Sequence, residues 1–293
     1  MPAPSFPAPR RALAAVCIAY AAALLAALGT GWALRGHGPI FVAGLADVVA
    51  TLVVFAFSVG HDNSSLYDPY WSVAPIPILA SWAGGTPAGP GLRAVLVLVL
   101  VGVWAVRLTA NWLLRWRGLG DEDFRYVEIR RRTGRLYWPA SLVSIHLLPT
   151  AWVFLGLLAA WPALGSTGRP PGVLDLVALG VTAAGIGIET VSDRQLRRFL
   201  RSRRDPSAVL ETGLWRLSRH PNYFGEITFW WGLWLFGVAA DPGWAWSAIG
   251  PISITLLFVV VSIPWMDRRM LSRHPAWAGR MATSALVPWP RRG

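Results

Sequence analysis

Apolar residues in this chain run in long blocks, and polar residues collect in the gaps between them. Blocks lie near 12–34, 40–60, 70–84, 92–114, 138–163, 172–193, 222–240 and 243–265. A helix that crosses a bilayer needs about 20 mostly apolar residues, so the pattern predicts transmembrane helices. The third block is short, begins at Pro69 and is broken by Pro75 and Pro77, so its length alone fits either a tilted span or a re-entrant piece. Arginine placement separates the two. Arg10 and Arg11 precede the first block, seven arginines lie in 115–135, eight in 194–219 and six in 268–292. The other links hold only Arg35, Arg93 and Arg169. If the third block crosses, every arginine-rich loop falls on one face. The positive-inside rule then gives eight spans with both termini cytoplasmic. Residues 1–11 read as a disordered, Pro-rich tail. The 12–34 block reads as a retained helix, because it outruns the roughly 7–15 apolar residues of a signal peptide and no clean cleavage site follows it.

Composition narrows the class. Of the 293 residues, 54% are hydrophobic and only 14% charged, with a mean hydropathy of +0.45. Soluble domains carry about 25% charge, so a soluble enzyme, a disordered chain and a disulfide scaffold are excluded. Cys17 is the one cysteine, so no internal disulfide or thiolate cluster can form. All 27 basic residues are arginine, and the net charge is +12. With those arginines set between apolar spans, the expected partner is the lipid bilayer and not nucleic acid.

Ionisable groups inside a membrane are costly, so their positions are informative. Asp68 and Tyr70 stand at the mouth of the third block, Arg107 and Asn111 near the end of the fourth, and Glu189 and Asp193 near the end of the sixth. His220, Asn222, Tyr223 and Glu226 enter the seventh. Four distant segments thus bring polar groups to one depth on one face. Helix caps and snorkelling anchors are the plain alternative. Asp47 reads as a lone packing or pairing residue, and His146 as a hydrogen-bonded core histidine.

The segment 213–226, GLWRLSRHPNYFGE, is the strongest signal. Gly213 permits a turn, and Pro221 suits a first helical turn. The amides that follow would then attract an anion, with Arg219 and His220 as added donors. Asn222 and Glu226, four apart, share one helical face. Topology alone explains the arginines of this loop but not Asn222 and Glu226. No dinucleotide-binding glycine motif, P-loop, metal-ligand spacing or nucleophile elbow is found in the chain.

These pieces resemble the steroid 5-alpha-reductase superfamily, especially its bacterial branch, the domain of unknown function 1295. The matching stretches are Asp68-Pro-Tyr-Trp71-Ser-Val-Ala-Pro75, Asn111-Trp112 with Arg115-Trp116, and Gly118-Leu-Gly-Asp-Glu-Asp-Phe-Arg-Tyr126. Glu189, Ser192-Asp193-Arg-Gln, the whole of 213–226 and the basic tail from Met266 to Pro288 also match, so the likeness covers about 40–290. It implies an all-α integral membrane protein with a seven-helix reductase-like core and one extra N-terminal helix at 12–34. It also implies a monomeric NADPH-dependent oxidoreductase of the bacterial inner membrane, with its cofactor site facing the cytoplasm. Its reaction would reduce an activated carbon–carbon double bond of a hydrophobic, lipid-like small molecule (steroid, isoprenoid or acyl) by hydride transfer. The implied cofactor-binding residues are Asn111, Arg115, Glu189, Asp193, Arg197, Arg219, His220, Asn222, Tyr223 and Glu226. Asp68, Tyr70 and Glu226 are the candidate catalytic residues, with no metal. The steroid enzymes also use a Tyr on the span matching 92–114, where this chain has none and Trp104 is the nearest aromatic. The rival readings are a membrane methyltransferase using S-adenosylmethionine, similar to isoprenylcysteine carboxyl methyltransferase, and a transporter. The order Pro-Asn-Tyr, Glu226 and Ser192-Asp193 favour the reductase over the first. The one-faced polar groups and the lack of repeated halves disfavour the second.

Overall fold

A computed structural model describes residues 9–85, 90–165, 168–205 and 207–283. Most of the expected tail and the end of the matched C-terminal stretch therefore lie outside the described residues. All regular structure among the described residues is helical. In chain order the helices are α1 (Pro9–Ala33), α2 (Pro39–Gly60), α3 (Tyr70–Val73), α4 (Pro75–Gly84) and α5 (Leu92–Leu113). Next come α6 (Phe124–Thr133), α7 (Tyr137–Ser141), α8 (Leu148–Leu158), α9 (Trp161–Leu164) and α10 (Val173–Ser202). The last are α11 (Leu214–Leu217), α12 (Pro221–Ala240), α13 (Ile249–Leu256), α14 (Ile263–Arg273) and α15 (Trp277–Thr283). α1 begins at Pro9, so it takes in the last residues expected in the tail.

Six helical stretches are long and apolar enough to cross a membrane: Arg11–Ala33, Pro39–Gly60, Leu92–Leu113, Phe124–Leu158, Val173–Ser202 and Pro242–Arg273. The protein is thus suited to a bilayer. Large apolar side chains left on the outside agree, such as Leu25, Leu28, Val106, Leu176 and Val260. Two of the eight expected spans behave differently. The 70–84 block breaks at Ala74 into α3 and α4. α4 has ten residues and rises about 15 Å, half the roughly 30 Å hydrocarbon layer. α12 has the length, at 20 residues, but three indoles, glycines and Glu226 make it less apolar. It can carry them because most of its surface is covered by protein, including Phe229, Trp230, Leu233 and Phe236.

Two long helices contain a widened π turn, at Leu142–Leu147 and Leu257–Ser262. Each ends two residues before a proline, Pro149 and Pro264. A proline ring clashes with the carbonyl four residues back and donates no hydrogen bond there, so the preceding turn opens.

The chain forms two compact units, Met1–Gly89 with Val101–Phe154, and Pro90–Leu100 with Leu155–Gly293. In the first unit, α1 packs on α2 and on the segments that follow it through small residues. Ala12, Val16, Ala19 and Ala23 recur every three or four positions and are all buried; the first three cluster with Leu66 and Leu119, and Ala23 with Ala50 and Val54 of α2. In the second unit α12 is central and packs most extensively on α10. Glycine makes that crossing possible. A Cβ on Gly225 would lie 2.8 Å from the Glu189 and Gly185 backbones, and one on Gly185 would lie 2.5 Å from Phe229 N. Gly232 sits equally close to Thr182.

Candidate functional site

The candidate residues divide between the two units. Asp68, Tyr70, Asn111 and Arg115 belong to the first. Glu189, Asp193, Arg197, Arg219, His220, Asn222, Tyr223 and Glu226 belong to the second.

In the first unit a helical turn, Ser64–Tyr67, leads into Asp68. The segment 118–126 fastens it. Asn63 donates to the Leu119 carbonyl at 2.7 Å, and Ser64 N donates to Glu122 Oε1 at 2.8 Å. Asp123 N donates to Ser65 Oγ at 2.9 Å, and the Tyr126 hydroxyl donates to Asp68 Oδ1 at 2.7 Å. Two stretches singled out separately, 68–75 and 118–126, therefore meet in space. Gly118 adopts φ +96, which favours glycine. Tyr70 points elsewhere, to Asp47 Oδ1 at 2.7 Å. Asn111 is buried near the end of α5, and its carbonyl accepts from Arg115 Nε at 3.2 Å.

Burial pushes the Asp68 carboxyl up to about 7, with the Asp123 charge as a second cause and the Tyr126 hydroxyl opposing them. The folded protein then holds a proton on Asp68 where the unfolded chain, at its ordinary 3.8, has lost it. By linkage, Asp68 makes stability fall as pH rises from about 4 to about 7, and level off above. Asp68→Asn keeps an oxygen acceptor for Tyr126 and should remove that slope. Unfolding midpoints in detergent across this range test it, and parallel curves for the two proteins would reject it.

In the second unit Glu189, Asp193 and Arg197 follow at four-residue intervals on one face of α10. Glu189 lies against Gly225, in the first turns of α12. The loop before α12 is laid along α10. Leu214 N donates to Gln195 Oε1 at 3.0 Å, and Trp215 Nε1 donates to the Ser192 carbonyl at 3.0 Å. Gly213, at φ +61, has the Gln195 side chain packed where a Cβ would stand.

Asp267 of α14 organises the end of this loop. His220 Nε2 lies 2.8 Å from its Oδ1, Arg219 Nε donates to Oδ2 at 3.1 Å, and Trp277 Nε1 donates to Oδ1 at 3.1 Å. The His220 ring stacks on Tyr223, with centroids 5.3 Å apart and planes 11° from parallel. Asp267 was not among the expected site residues. Its signal in the sequence is slight: a single carboxylate in the arginine-rich run 266–273. Its charge offsets that of Arg219.

Glu226 is buried and accepts from Trp230 Nε1 at 3.0 Å. The Asn222 Oδ1 atom is buried with no hydrogen-bond partner among the described residues. A buried oxygen left this way costs about 1–3 kcal/mol, so it suits a ligand with an N–H or O–H to give. The first amides of α12 add donors with no intrahelical partner. The end of α12 thus offers an acceptor, oriented cationic and imidazole groups, and backbone donors together. Among the described residues no group of three or more His, Cys, Asp or Glu is placed to hold a metal.

A search of solved structures finds no match. An uncharacterized protein of Schizosaccharomyces pombe is 25% identical over 228 residues, 69% of this chain and 66% of that one. The chain thus spans just under two thirds of that relative's length. The model of the family described as "Protein of unknown function (DUF1295)" matches residues 54–279. That stretch contains the Asp68 turn, the 118–126 segment, the α12 entrance and Asp267, and the chain belongs to this family.

Proposed function

We propose that the protein is an NADPH-dependent membrane oxidoreductase, similar to the steroid 5-alpha-reductases, that reduces an activated carbon–carbon double bond of a lipid-like substrate. The observation that carries this reading is the entrance to α12. Asn222 holds a buried acceptor atom without a partner among the described residues, beside Arg219 and His220 held by Asp267. The donor set fits a dinucleotide. Asn222 Oδ1 takes an amide N–H, and the first amides of α12 take phosphate oxygens. Because Asp267 offsets Arg219, phosphate charge falls to the α10 arginines, including the exposed Arg194, Arg198 and Arg201.

When bound, NADPH supplies a hydride to one carbon of the double bond. The chain would supply the accompanying proton, and Asp68 is the group we propose for it. Its carboxyl holds a proton near neutral pH, and Tyr126, hydrogen-bonded to it, stands in for the tyrosine missing from 92–114. Tyr70 is less suited, since its hydroxyl is committed to Asp47. In this reading α12 crosses the membrane as a protein-covered helix, the 70–84 block completes the eighth passage, and the termini and arginine-rich loops face the cytoplasm of a bacterial inner membrane.

Thermal unfolding of the full chain in detergent tests the cofactor. NADPH at 100 times its dissociation constant should add about 2.7 kcal/mol. Asn222→Ala should lose most of that gain. Glu226→Gln, which keeps an acceptor for Trp230, should weaken it. Stabilisation by S-adenosylmethionine and not by NADPH would overturn the reading in favour of a methyltransferase. Asp68→Asn should keep the NADPH response and slow turnover.

A further inference from the structure

The first unit holds a second buried polar group that the reductase reading does not use. Asp47 lies near the middle of the 22-residue α2, within an apolar helix, and is 4% exposed. Its Oδ1 accepts from the Tyr70 hydroxyl at 2.7 Å. Its Oδ2 is buried and has no hydrogen-bond partner among the described residues. Other hydroxyls of the unit are already paired with one another. Tyr67 and Thr150 lie 2.7 Å apart, and Thr150 and Thr51 2.8 Å apart. The Tyr70 hydroxyl has one proton to give, and it points to the carboxylate oxygen Oδ1 at 2.7 Å and the backbone carbonyl of Asp47 at 3.2 Å. None of these groups serves Oδ2. Buried polar atoms are rarely left so, and an ionisable residue within a membrane helix is costly to keep without a use.

We propose that Asp47 and Tyr70 form a subsite for the hydroxyl group of an apolar alcohol, with Asp47 Oδ2 as the atom that meets it. A hydroxyl both donates and accepts. It therefore matches Oδ2 whether Asp47 is ionised, when the oxygen accepts, or protonated, when it donates. An ammonium group matches only the first state and brings a second charge to desolvate. The surroundings are apolar. Ala23, Ala50, Val54 and Ala74 are buried around Tyr67 and Tyr70, with Tyr20, Ala27 and Val53 packed on them, so the body of the ligand must be apolar too. Asp47 precedes the family match, which begins at residue 54. The subsite is independent of the cofactor assignment, because all of its groups belong to the first unit.

The test is thermal unfolding of the full chain in detergent with dodecanol, dodecane or dodecylamine. Dodecanol should raise the midpoint of the wild type by several degrees, and dodecane should not. Asp47→Leu should abolish the dodecanol response. Asp47→Asn, which keeps an oxygen for Tyr70 but offers an NH2 group at the other position, should weaken dodecanol binding about tenfold and stands in should the leucine variant not fold. Equal responses to alcohol and alkane, or a dodecanol response retained in both variants, would overturn the proposal. A response to dodecylamine alone would also overturn it. NADPH titrated in the same samples separates the two readings: loss of the NADPH response with the dodecanol response intact would sink the reductase and leave the subsite standing.

Discussion

Arg93→Met should lower the stability of the protein by about 3–5 kcal/mol, the usual loss when one member of a buried ion pair is removed. Arg93 grips Asp175 with both ends of its fork, Nε to Oδ1 at 2.5 Å and Nη2 to Oδ2 at 2.9 Å. Both residues are buried. The remaining guanidinium donors reach the Arg169 carbonyl at 2.7 Å and the Pro170 carbonyl at 3.3 Å. Asp175 also accepts from Gly172 N at 2.8 Å, at the start of α10, where a negative charge suits the helix dipole. Removing the arginine leaves a carboxylate in apolar surroundings. The double change Arg93→Met with Asp175→Leu should recover most of the loss, because no charge is then stranded. Unfolding of the three proteins in one detergent decides it: a single variant as stable as the wild type would show that Asp175 is solvated without Arg93. The pair also bears on topology. Arg93 lies in a link otherwise poor in arginine, and its charge is matched inside the protein, so it does not count against the positive-inside assignment.

Gly225→Val should be more damaging still, with a loss of at least about 3 kcal/mol or no recoverable folded protein. The new side chain would meet backbone atoms of α10 at 2.8 Å, and backbone cannot swing aside as a long side chain can. The helices would have to separate along a contact that Gly185, Thr182 and Gly232 also share. Gly187 is the control. It lies on α10 with nothing within 4 Å of its Cβ position, so Gly187→Ala should be neutral or stabilise by up to about 1 kcal/mol through helix propensity. Equal behaviour of the two variants on size-exclusion chromatography and in thermal unfolding would refute the close crossing.

Much of the helical framework was legible in the chain. The apolar blocks near 12–34, 40–60 and 92–114 correspond to α1, α2 and α5 within a few residues, because a bilayer-length run of apolar side chains leaves a helix as the economical way to satisfy its backbone; the 172–193 block starts with α10, which runs nine residues further, to Ser202. The 70–84 block was harder to read. Its hydropathy resembles a span, but Pro75 opens a new helix and only ten residues follow in α4. α12 shows the opposite case: the 222–240 block matches Pro221–Ala240 within a residue, although this helix is covered by protein and less apolar than the six long spans. Among site residues, the sequence brought His220, Asn222 and Glu226 to notice by type and spacing. It could not point to Asp267, 47 positions beyond His220, nor to Tyr126 as the partner of Asp68, since neither pairing follows a helical or strand period.

The order of residues alone determined the helical class, the bilayer as surroundings and the approximate ends of the long helices, because these follow from local hydropathy and backbone hydrogen bonding. Which polar groups meet was decided only by tertiary packing. Glycines at 185, 225 and 232 let two helices touch, the 118–126 segment docks on the turn before Asp68, and α14 returns Asp267 to the head of α12. Side chains distant along the chain become partners through such contacts, and their energies depend on burial that no local pattern records.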